Sequence, residues 1–400
     1  MNNAICIQED LYYVGGSDRR IPLFESAYPV PRGISYNSYL LLDEKTVLFD
    51  TVDRAISEVF FENVESVLNG RPLDYLVIHH MEPDHSASFE GIIQRYPNVK
   101  VVVNQKMEVM LKNYFDCDLP ELVLVKDGDT LSFGKHAHTF VFAPMVHWPE
   151  VMMSFDASTG TLFSADAFGT FGALGGSIFA DEVDFETEFL SDARRYYFNI
   201  VGKYGVQVQN VLKKVAALSI KTVCPLHGPV WRKDFSWFLN KYDIWSKYEP
   251  ETKGALVLYA SVYGHMANAA QILGAELTNC GVQKVKLYDT SFMHYSDLLA
   301  EAFNYSHIVF ASTTYNNGVF ASMEQLLNEL TAHNFQQRAF SIVESGSWSP
   351  QSGKLMREKL NALKGMREVG EGVTFLSAVK ADTKESLKKL AKEISVDLQR

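Results

Sequence analysis

Four side chains that commonly bind metal ions stand within six residues, directly after an apolar run. The run is Tyr75-Leu76-Val77-Ile78, which has the composition of a buried strand. The four potential ligands that follow it are His80, Glu82, Asp84 and His85. Side chains at alternate positions of a curling segment can converge on one ion, and Pro83 is expected to keep this segment out of a regular helix. So dense a cluster predicts a metal site rather than an exposed strand end.

The cluster resembles the first part of the metal-binding pattern of metallo-β-lactamase-fold proteins. By that resemblance the later ligands would be His147, Asp166 and His227, which all follow strand-like apolar runs. The complete order resembles the metal-binding pattern of the metallo-β-lactamase fold, whose hydrolases carry a second His where Glu82 stands here. A carboxylate in place of an imidazole makes a site harder and shifts its preference from zinc towards iron or manganese. In this form the pattern is similar to that of the flavodiiron proteins.

The resemblance to flavodiiron proteins implies a pair of irons. It implies that His80, Glu82 and His147 hold one iron, that Asp84, His85 and His227 hold the other, and that Asp166 bridges them. The family includes members in which the residue corresponding to His85 stays off the metal. Tyr197 is a further candidate, because similar proteins carry a Tyr hydroxyl near the open iron positions. The alternative for Tyr197 is a surface or core tyrosine.

Length and composition limit the classes of protein that the chain can represent. Four hundred residues predict two domains, and a net charge of −11 argues against binding to nucleic acid or to an anionic membrane surface. No apolar stretch is long enough to span a bilayer. The four cysteines are far apart and form no Cys-x-x-Cys pair, which excludes a rubredoxin module within this sequence. Free thiols and the absence of a visible secretory signal predict a cytoplasmic protein.

The first part of the chain, residues 1–250, mixes short strands with amphipathic helices. A hairpin is predicted from Tyr36–Leu42 and Thr46–Asp50, and helical spacing covers Ala55–Leu68. The potential ligands stand at the ends of strand-like runs. This arrangement agrees with the metallo-β-lactamase-like αββα sandwich that the resemblance implies.

Residues 254–400 show a cleaner alternation of strands and helices after the charged segment 247–253. Three loops of small and polar residues follow the predicted strands Gly254–Ala260, His307–Ser312 and Ala339–Glu344. The ligands of open α/β sheets bind at the carboxyl ends of strands, where these loops lie. The pattern looks like a flavodoxin domain, a doubly wound parallel sheet that binds FMN.

By that resemblance the three loops bind the flavin, the first through its phosphate. The residues concerned are Ser261, Tyr263, Gly264, His265, Met266 and Ala267 in the first loop, Thr313, Thr314, Tyr315, Asn316, Asn317 and Gly318 in the second, and Ser345, Gly346, Ser347 and Trp348 in the third. Simple flavodoxins carry a hydroxyl residue where this chain has Met266, preceded by an Asn where it has His265. This departure leaves the exact phosphate contacts open but not the place of the site. Trp348 or Tyr315 would offer an aromatic face to the ring.

Together these resemblances predict a flavodiiron oxidoreductase. FMN would pass electrons to the two irons, which would reduce O2 to water, NO to N2O, or both. The resemblance also implies a head-to-tail homodimer or a dimer of dimers, and a separate rubredoxin-type electron donor. The alternative is a di-metal hydrolase of the metallo-β-lactamase fold with an attached flavodoxin-like domain.

Overall fold

The structure, a computed structural model, describes residues 3–399 of the chain. Within these residues no helix is long and apolar enough to cross a membrane. The chain divides into two compact units, and the division falls between Asp243 and Ile244.

The first unit is built from short strands and helices. Its strands are β1 Ile5–Gln8, β2 Leu11–Tyr13, β3 Gly16–Asp18, β4 Leu23–Phe24, β5 Tyr28–Pro29, β6 Ile34–Tyr36, β7 Tyr39–Leu42, β8 Thr46–Phe49, β9 Tyr75–Val77, β10 Lys100–Val103, β11 Leu122–Leu124, β12 Thr130–Ser132, β13 Ala137–Phe142, β14 Met152–Asp156, β15 Thr161–Phe163 and β16 Thr222–Cys224. Its helices are α1 Ser57–Leu68, α2 Pro83–Ser86, α3 Phe89–Arg95, α4 Gln105–Tyr114, α5 Phe185–Glu188, α6 Leu190–Tyr196 and α7 Gly205–Val215, and α8 Phe235–Ser246 begins in this unit.

Two sheets carry the core of the first unit. One has the order β1-β2-β7-β8-β9-β10-β11 and the other the order β12-β13-β14-β15-β16. Aromatic rings join them: Phe49 of β8 stacks on Phe163 of β15 with ring centroids 4.0 Å apart, and Tyr39 meets Phe163 edge-on at 5.6 Å. Because β8 to β11 run parallel, the loops after them open at one edge of their sheet. The facing sheets with flanking helices confirm the predicted sandwich.

The second unit is a doubly wound sheet with helices between its strands. Its strands are β17 Thr252–Ala260, β18 Val285–Asp289, β19 Tyr305–Tyr315, β20 Gly318–Val319, β21 Ala339–Gly346, β22 Arg367–Glu368 and β23 Val373–Leu376, and its helices are α9 His265–Asn279, α10 Tyr295–Asn304, α11 Ala321–Ala332, α12 Ser352–Asn361 and α13 Ala381–Leu398. The order is β18-β17-β19-β21-β22, with β23 also pairing with β21. This parallel order, in which the first strand lies between the second and third, is that of flavodoxin-like folds and confirms the prediction.

Two strands of the second unit run further than the sequence pattern indicates. β19 continues to Tyr315 and β21 to Gly346, so that Thr313 and Thr314 belong to a strand rather than to a loop. β19 then reverses into β20 through Asn316 and Asn317, whose φ angles are +50° and +57°. Asparagine tolerates the left-handed region better than most residues, which explains how a tight hairpin forms here without glycine.

His307 gives the second unit a pH-dependent stability. Its side chain is buried in β19 with Nε2 3.0 Å from Ser341 Oγ, and burial lowers its pKa from 6.5 to about 4. The unfolded chain therefore binds a proton that the folded chain does not as the pH falls from 6.5 to 4. We expect the free energy of unfolding of the native protein, relative to His307→Gln, to fall by roughly 1.4 kcal/mol per pH unit across that window.

Urea unfolding of both proteins at several pH values measures this difference. His333→Gln, a change of a partly exposed histidine beyond α11, serves as the control and should unfold in parallel with the native chain at every pH. A constant difference between native protein and His307→Gln from pH 7 to pH 4 would contradict the prediction.

Candidate metal centre and the cavity of the second unit

The segment after β9 positions the first four predicted ligands. His80 follows the strand, Glu82 stands at the N-cap of α2, and Asp84 and His85 lie on the first turn of that helix. The expectation that Pro83 excludes helix is wrong, because Pro83 occupies the first helical position. A proline is tolerated there since the N–H it lacks would have had no partner within the helix.

The structure brings all seven predicted ligands into two adjacent groups. His147 lies beyond β13, and Asp166 and His227 follow β15 and β16. Within each group the potential ligand atoms lie within 4.8 Å of one another. The first group is His80, Glu82, His147 and Asp166, and the second is Asp84, His85 and His227. Residues from both sheets therefore meet at one place.

Asp166 lies between the two groups, and each of its oxygens faces a different one. Its Oδ2 is 3.1 Å from His147 Nε2 and 3.4 Å from His80 Nε2. Its Oδ1 is 3.2 Å from His85 Nε2 and 3.7 Å from His227 Nε2. A carboxylate in this position can bridge two ions, which is the role that the resemblance predicts for it.

Hydrogen bonds on the outer side of the centre orient two of the imidazoles. Nδ1 of His80 lies 2.8 Å from the buried Glu150 carboxylate, and Nδ1 of His227 donates to the Ser35 carbonyl at 2.7 Å. In both rings the outer nitrogen carries the proton, so Nε2 presents its lone pair to the centre. This arrangement fixes the tautomer and raises the basicity of a metal-binding histidine.

Several buried polar atoms of the centre have no hydrogen-bond partner among the described residues. They include both carboxylate oxygens of Asp84 and Oδ1 of Asp166. His85 and His227 place their Nε2 atoms 3.1 Å apart, and each of these atoms also lies 3.2 Å from Asp84 Oδ2. Buried acceptors without donors are costly, and a cation between them satisfies all of them at once. The donor set therefore fits metal ions.

The electrostatics of the centre couple acids and bases tightly. Burial acts against charge on His147, but Asp166 and Glu82 outweigh it and raise the pKa of His147 to about 9. Burial likewise opposes the ionised form of Glu82 and of Asp166, yet the surrounding histidines hold both carboxyl pKa values below their usual range. His147 thus favours its protonated form in the absence of metal, and binding of an ion to this imidazole must release a proton.

Glu25 was not identified from the sequence. It lies in the turn between β4 and β5, where both Glu25 and Ser26 have positive φ, and Ala27 N–H donates to the Phe24 carbonyl at 3.0 Å. Burial and the neighbouring carboxylate of Glu82 raise the pKa of Glu25 to about 8. The hairpin is anchored by Phe24, whose ring lies 5.4 Å from that of His227. Glu25 stands 55 residues before His80, and nothing in the sequence around it indicates the contact with Glu82.

Tyr196 is a tyrosine beside the centre that was not identified from the sequence. Its ring lies 5.5 Å from that of His227, and burial followed by the charge of Asp166 raises its pKa. Its hydroxyl is buried and has no hydrogen-bond partner in the described part of the chain. The ring of Tyr197, the residue suggested by the sequence, contacts Phe198 and Tyr242. Tyr196 and Tyr197 are adjacent in the sequence, so the sequence alone could not show which of them faces the centre.

The second unit has a cavity of about 450 Å³ at the carboxyl ends of its central strands. The residues that line it are Val262, Tyr263, Thr313, Thr314, Tyr315, Asn316, Asn317, Gly346, Ser347, Trp348 and Ser349. All three predicted loops contribute to it. Tyr263 and Trp348 are 91% and 84% exposed, which leaves aromatic faces available to a planar ligand.

The other predicted loop residues are not among the residues that line this cavity. Met266 is fully buried in the core of the second unit, so that only its backbone can face a ligand. His265 opens α9, and Gly264 before it has φ +89°. The remaining members are Ser261, Ala267, Gly318 and Ser345. Val262 and Ser349 line the cavity without having been identified from the sequence.

Comparison with known proteins agrees with the folds of both units. A family profile described as "ODP family beta lactamase" matches residues 34–228. The rubredoxin oxygen:oxidoreductase of Desulfovibrio gigas superposes with a TM-score of 0.93 and 28% identity, covering 99% of each chain. The flavodiiron protein of Giardia intestinalis has the same fold, with a TM-score of 0.94 over 100% of this chain and 97% of its own, at 23% identity.

Sequence identity to curated relatives shows the family as well as the fold. The nitric oxide reductase of Moorella thermoacetica is 30% identical over 367 residues, which span 91% of both chains. The chain belongs to the flavodiiron protein family. The anaerobic nitric oxide reductase flavorubredoxin of Vibrio vulnificus is 28% identical over 86% of this chain and 70% of its own.

As a flavodiiron protein the chain is an oxidoreductase. Membership of the family implies a flavin and a di-iron centre, and the two places described above have the chemistry for them. The His and carboxylate donors suit iron. The cavity of the second unit combines aromatic faces with hydroxyl and amide groups, as binding of a flavin requires.

Glu150 offers a test of how this flavodiiron centre is supported. Its Oε1 accepts from the Met81 N–H at 3.0 Å as well as facing His80, and the side chain is buried. We expect Glu150→Gln to weaken iron binding about 10- to 100-fold, because the amide removes the negative charge behind His80. Iron retained per chain during dialysis against increasing chelator measures the effect. Glu58→Gln, on the exposed face of α1, is the control, and equal retention by both variants would contradict the prediction.

Proposed function

We propose that this protein binds FMN and two irons and reduces O2 to water, NO to N2O, or both. The proposal assigns residues 1–250 to the di-iron domain and residues 254–400 to the FMN domain. When bound, the iron pair supplies electrons to a small ligand at its open positions, and the flavin relays them from an external donor. A cytoplasmic location stays a prediction from the sequence.

The main support for this proposal is the position of Asp166, a buried carboxylate whose two oxygens face different ligand groups. Seven protein ligands shared between two irons leave coordination positions open for a small molecule. We assign His80, Glu82 and His147 to one iron and Asp84, His85 and His227 to the other. Glu82 and Asp84 are the ligands with side chains still 12% and 10% exposed, so the open side of the centre lies towards them.

The residues around the iron ligands have separate tasks in this proposal. Glu150 and the Ser35 carbonyl hold the protonated faces of two imidazoles. We assign to Tyr196, whose ring lies beside that of His227, the donation of a hydrogen bond to an oxygen atom of substrate, because its buried hydroxyl has no hydrogen-bond partner among residues 3–399. Glu25 covers part of the open side through its contact with Glu82.

The electron donor is proposed from the names of relatives, and the assembly from the family resemblance of the sequence. The Desulfovibrio gigas protein is named a rubredoxin oxygen:oxidoreductase, and the Vibrio vulnificus protein a flavorubredoxin. We therefore propose a separate rubredoxin-type donor that reduces the FMN of this chain. We also propose a head-to-tail homodimer or a dimer of such dimers, in which the flavin of one protomer serves the irons of its partner.

Metal analysis of anaerobically purified protein, followed by gas-consumption assays with reduced rubredoxin, tests the proposal. We expect about two irons and one flavin per chain, and consumption of O2 or NO that depends on both. Zinc as the dominant metal in protein from iron-replete cells, with no consumption of either gas, would overturn the proposal and favour a metallo-hydrolase.

A further inference from the structure

His79 stands directly before the ligand His80 but belongs to neither ligand group. Its side chain is 1% exposed, and its ring lies nearly parallel to those of Phe49 and Phe163, with centroids 5.9 and 6.0 Å away. The proposed function leaves this buried imidazole without a task. A buried polar ring is costly unless its nitrogens are hydrogen-bonded, so the partners of His79 indicate what it does.

The two ring nitrogens of His79 bind the two sheets of the first unit. Because a carboxylate can only accept, Nδ1 donates to Asp50 Oδ2 at 2.6 Å, and the Ser154 hydroxyl donates to Nε2 at 2.8 Å. Asp50 directly follows β8 of the seven-stranded sheet, whereas Ser154 lies in β14 of the five-stranded sheet. All three side chains are buried, so water does not compete for these bonds. The imidazole is therefore a hydrogen-bonded bridge between the sheets beside the metal centre.

The main chain of His79 is held from the same two directions. Its N–H donates to Asp50 Oδ1 at 2.6 Å, and its carbonyl accepts from the Met152 N–H of β14 at 3.1 Å. Asp50 thus holds both the side chain and the main chain of one residue with its two oxygens. It does so at φ +55°, in the left-handed region, and these hydrogen bonds offset the cost of that conformation. The peptide that joins His79 to His80 cannot rotate without breaking several of them.

The position of the His80 ring depends on this peptide. His80 Nε2 lies 3.1 Å from Glu82 Oε2 and 3.4 Å from Asp166 Oδ2, so a small rotation of the main chain would move this nitrogen away from the first ligand group. Glu150 holds the His80 ring from its outer side and accepts from the N–H of Met81. The main chain on the other side of His80 is held through His79.

We infer that His79 is a positioning residue for the iron held by His80, Glu82 and His147. It joins the two sheets directly behind His80 and fixes the main chain from which that ligand reaches the metal. The inference rests on the proposed di-iron site, because it assigns to His79 a task towards one iron of that site. It predicts that loss of the bridge disturbs this iron more than the other.

Replacement of His79 by phenylalanine tests the inference, because phenylalanine keeps a ring beside Phe49 and Phe163 but makes neither hydrogen bond. In His79→Phe we expect iron retention during dialysis against increasing chelator to fall about tenfold, the lower range for loss of a residue that supports a metal ligand. Mössbauer spectra of the iron-loaded protein should show a changed signal for one iron and a native signal for the other. A residue needed only for folding would lower the resistance to urea and leave both signals native.

His138→Phe is the matched control, because it makes the same substitution in the same group of buried rings, 5.0 Å from Phe49. Nδ1 of His138 lies 3.4 Å from Ser154 Oγ, and no hydrogen bond joins this residue to His79 or His80 within residues 3–399. His138→Phe should therefore retain iron as the native protein does. His79→Asn, whose amide nitrogen can replace Nδ1 towards Asp50 but cannot reach Ser154, should retain more iron than His79→Phe.

Native iron retention with a native spectrum in His79→Phe would overturn the inference, as would equal losses in His79→Phe and His138→Phe. Should His79→Phe fail to fold, Ser154→Ala removes the bridge at its other end and is read by the same two measurements. Native retention and a native spectrum in Ser154→Ala would then overturn the inference. Absence of iron from the native protein would instead overturn the proposed function itself.

Discussion

Replacement of Asp166 by alanine is expected to remove iron and gas reduction together while leaving flavin bound. Asp166 is 1% exposed, and each of its oxygens lies within 3.2 Å of an imidazole nitrogen in a different ligand group. Its loss removes the bridge and leaves four histidines facing one another without the carboxylate between them. We expect activity to fall by more than about 100-fold, the upper range for removal of an outer partner of a metal ligand.

Three measurements on Asp166→Ala separate this outcome from general misfolding. Iron content should fall, flavin content should remain near that of the native protein, and circular dichroism should show the native helices and strands. Asp118→Ala, at an exposed position, should match the native protein in all respects. Native rates of O2 and NO consumption in Asp166→Ala would show that the bridged centre is not the site of reduction.

The second large effect is expected from Gly228→Ala, directly beside the ligand His227. Gly228 has φ +79°, and an added Cβ would lie 2.3 Å from Thr170 Cγ2. Its N–H donates to Ser35 Oγ at 2.7 Å, so the segment cannot shift without disturbing the Ser35 carbonyl that orients His227. We expect loss of the iron held by the second ligand group and loss of most of the activity.

A double variant identifies the cause of the Gly228→Ala effect. Thr170→Ser removes the methyl group that the new Cβ would meet, but it leaves the cost of a positive φ, about 1–2 kcal/mol for a residue with a side chain. Gly228→Ala combined with Thr170→Ser should therefore recover part of the iron and part of the activity. If the double variant is no better than Gly228→Ala alone, the contact with the threonine methyl is not the reason for the loss.

The predicted ligands stand where strands end, which explains why the fold brings them together. His147, Asp166 and His227 each follow a short apolar run, and ends of neighbouring strands meet at one edge of a sheet. The family resemblance singled out these three distant residues, and their strand-end positions are consistent with that choice. The order of strands in the second unit follows similarly from the regular alternation of strands and helices.

Residues that reach the centre only through a long-range side-chain contact, and do not follow a strand, cannot be predicted in this way. Glu150 reaches His80 across 70 positions of sequence, and Glu25 reaches Glu82 from a separate hairpin. The same limit applies to Pro83, where the residue type excludes a helix interior but not its first position. Tyr196 and Tyr197 differ only in direction around a helix. The direction in which each side chain points depends on tertiary packing, and two adjacent tyrosines give no sequence signal that distinguishes them.

The meeting of both sheets at the ligands has a consequence for the lifetime of the protein. His80 follows a strand of one sheet, whereas Asp166 and His227 follow strands of the other, so bound ions tie the two sheets together at one edge. All four cysteines are free, and no disulfide provides a second tie. Ions that bind the native state alone stabilise it by mass action. If the ions are the proposed irons, protein without iron should be cleaved by proteases faster than iron-loaded protein, because its two sheets lack this tie.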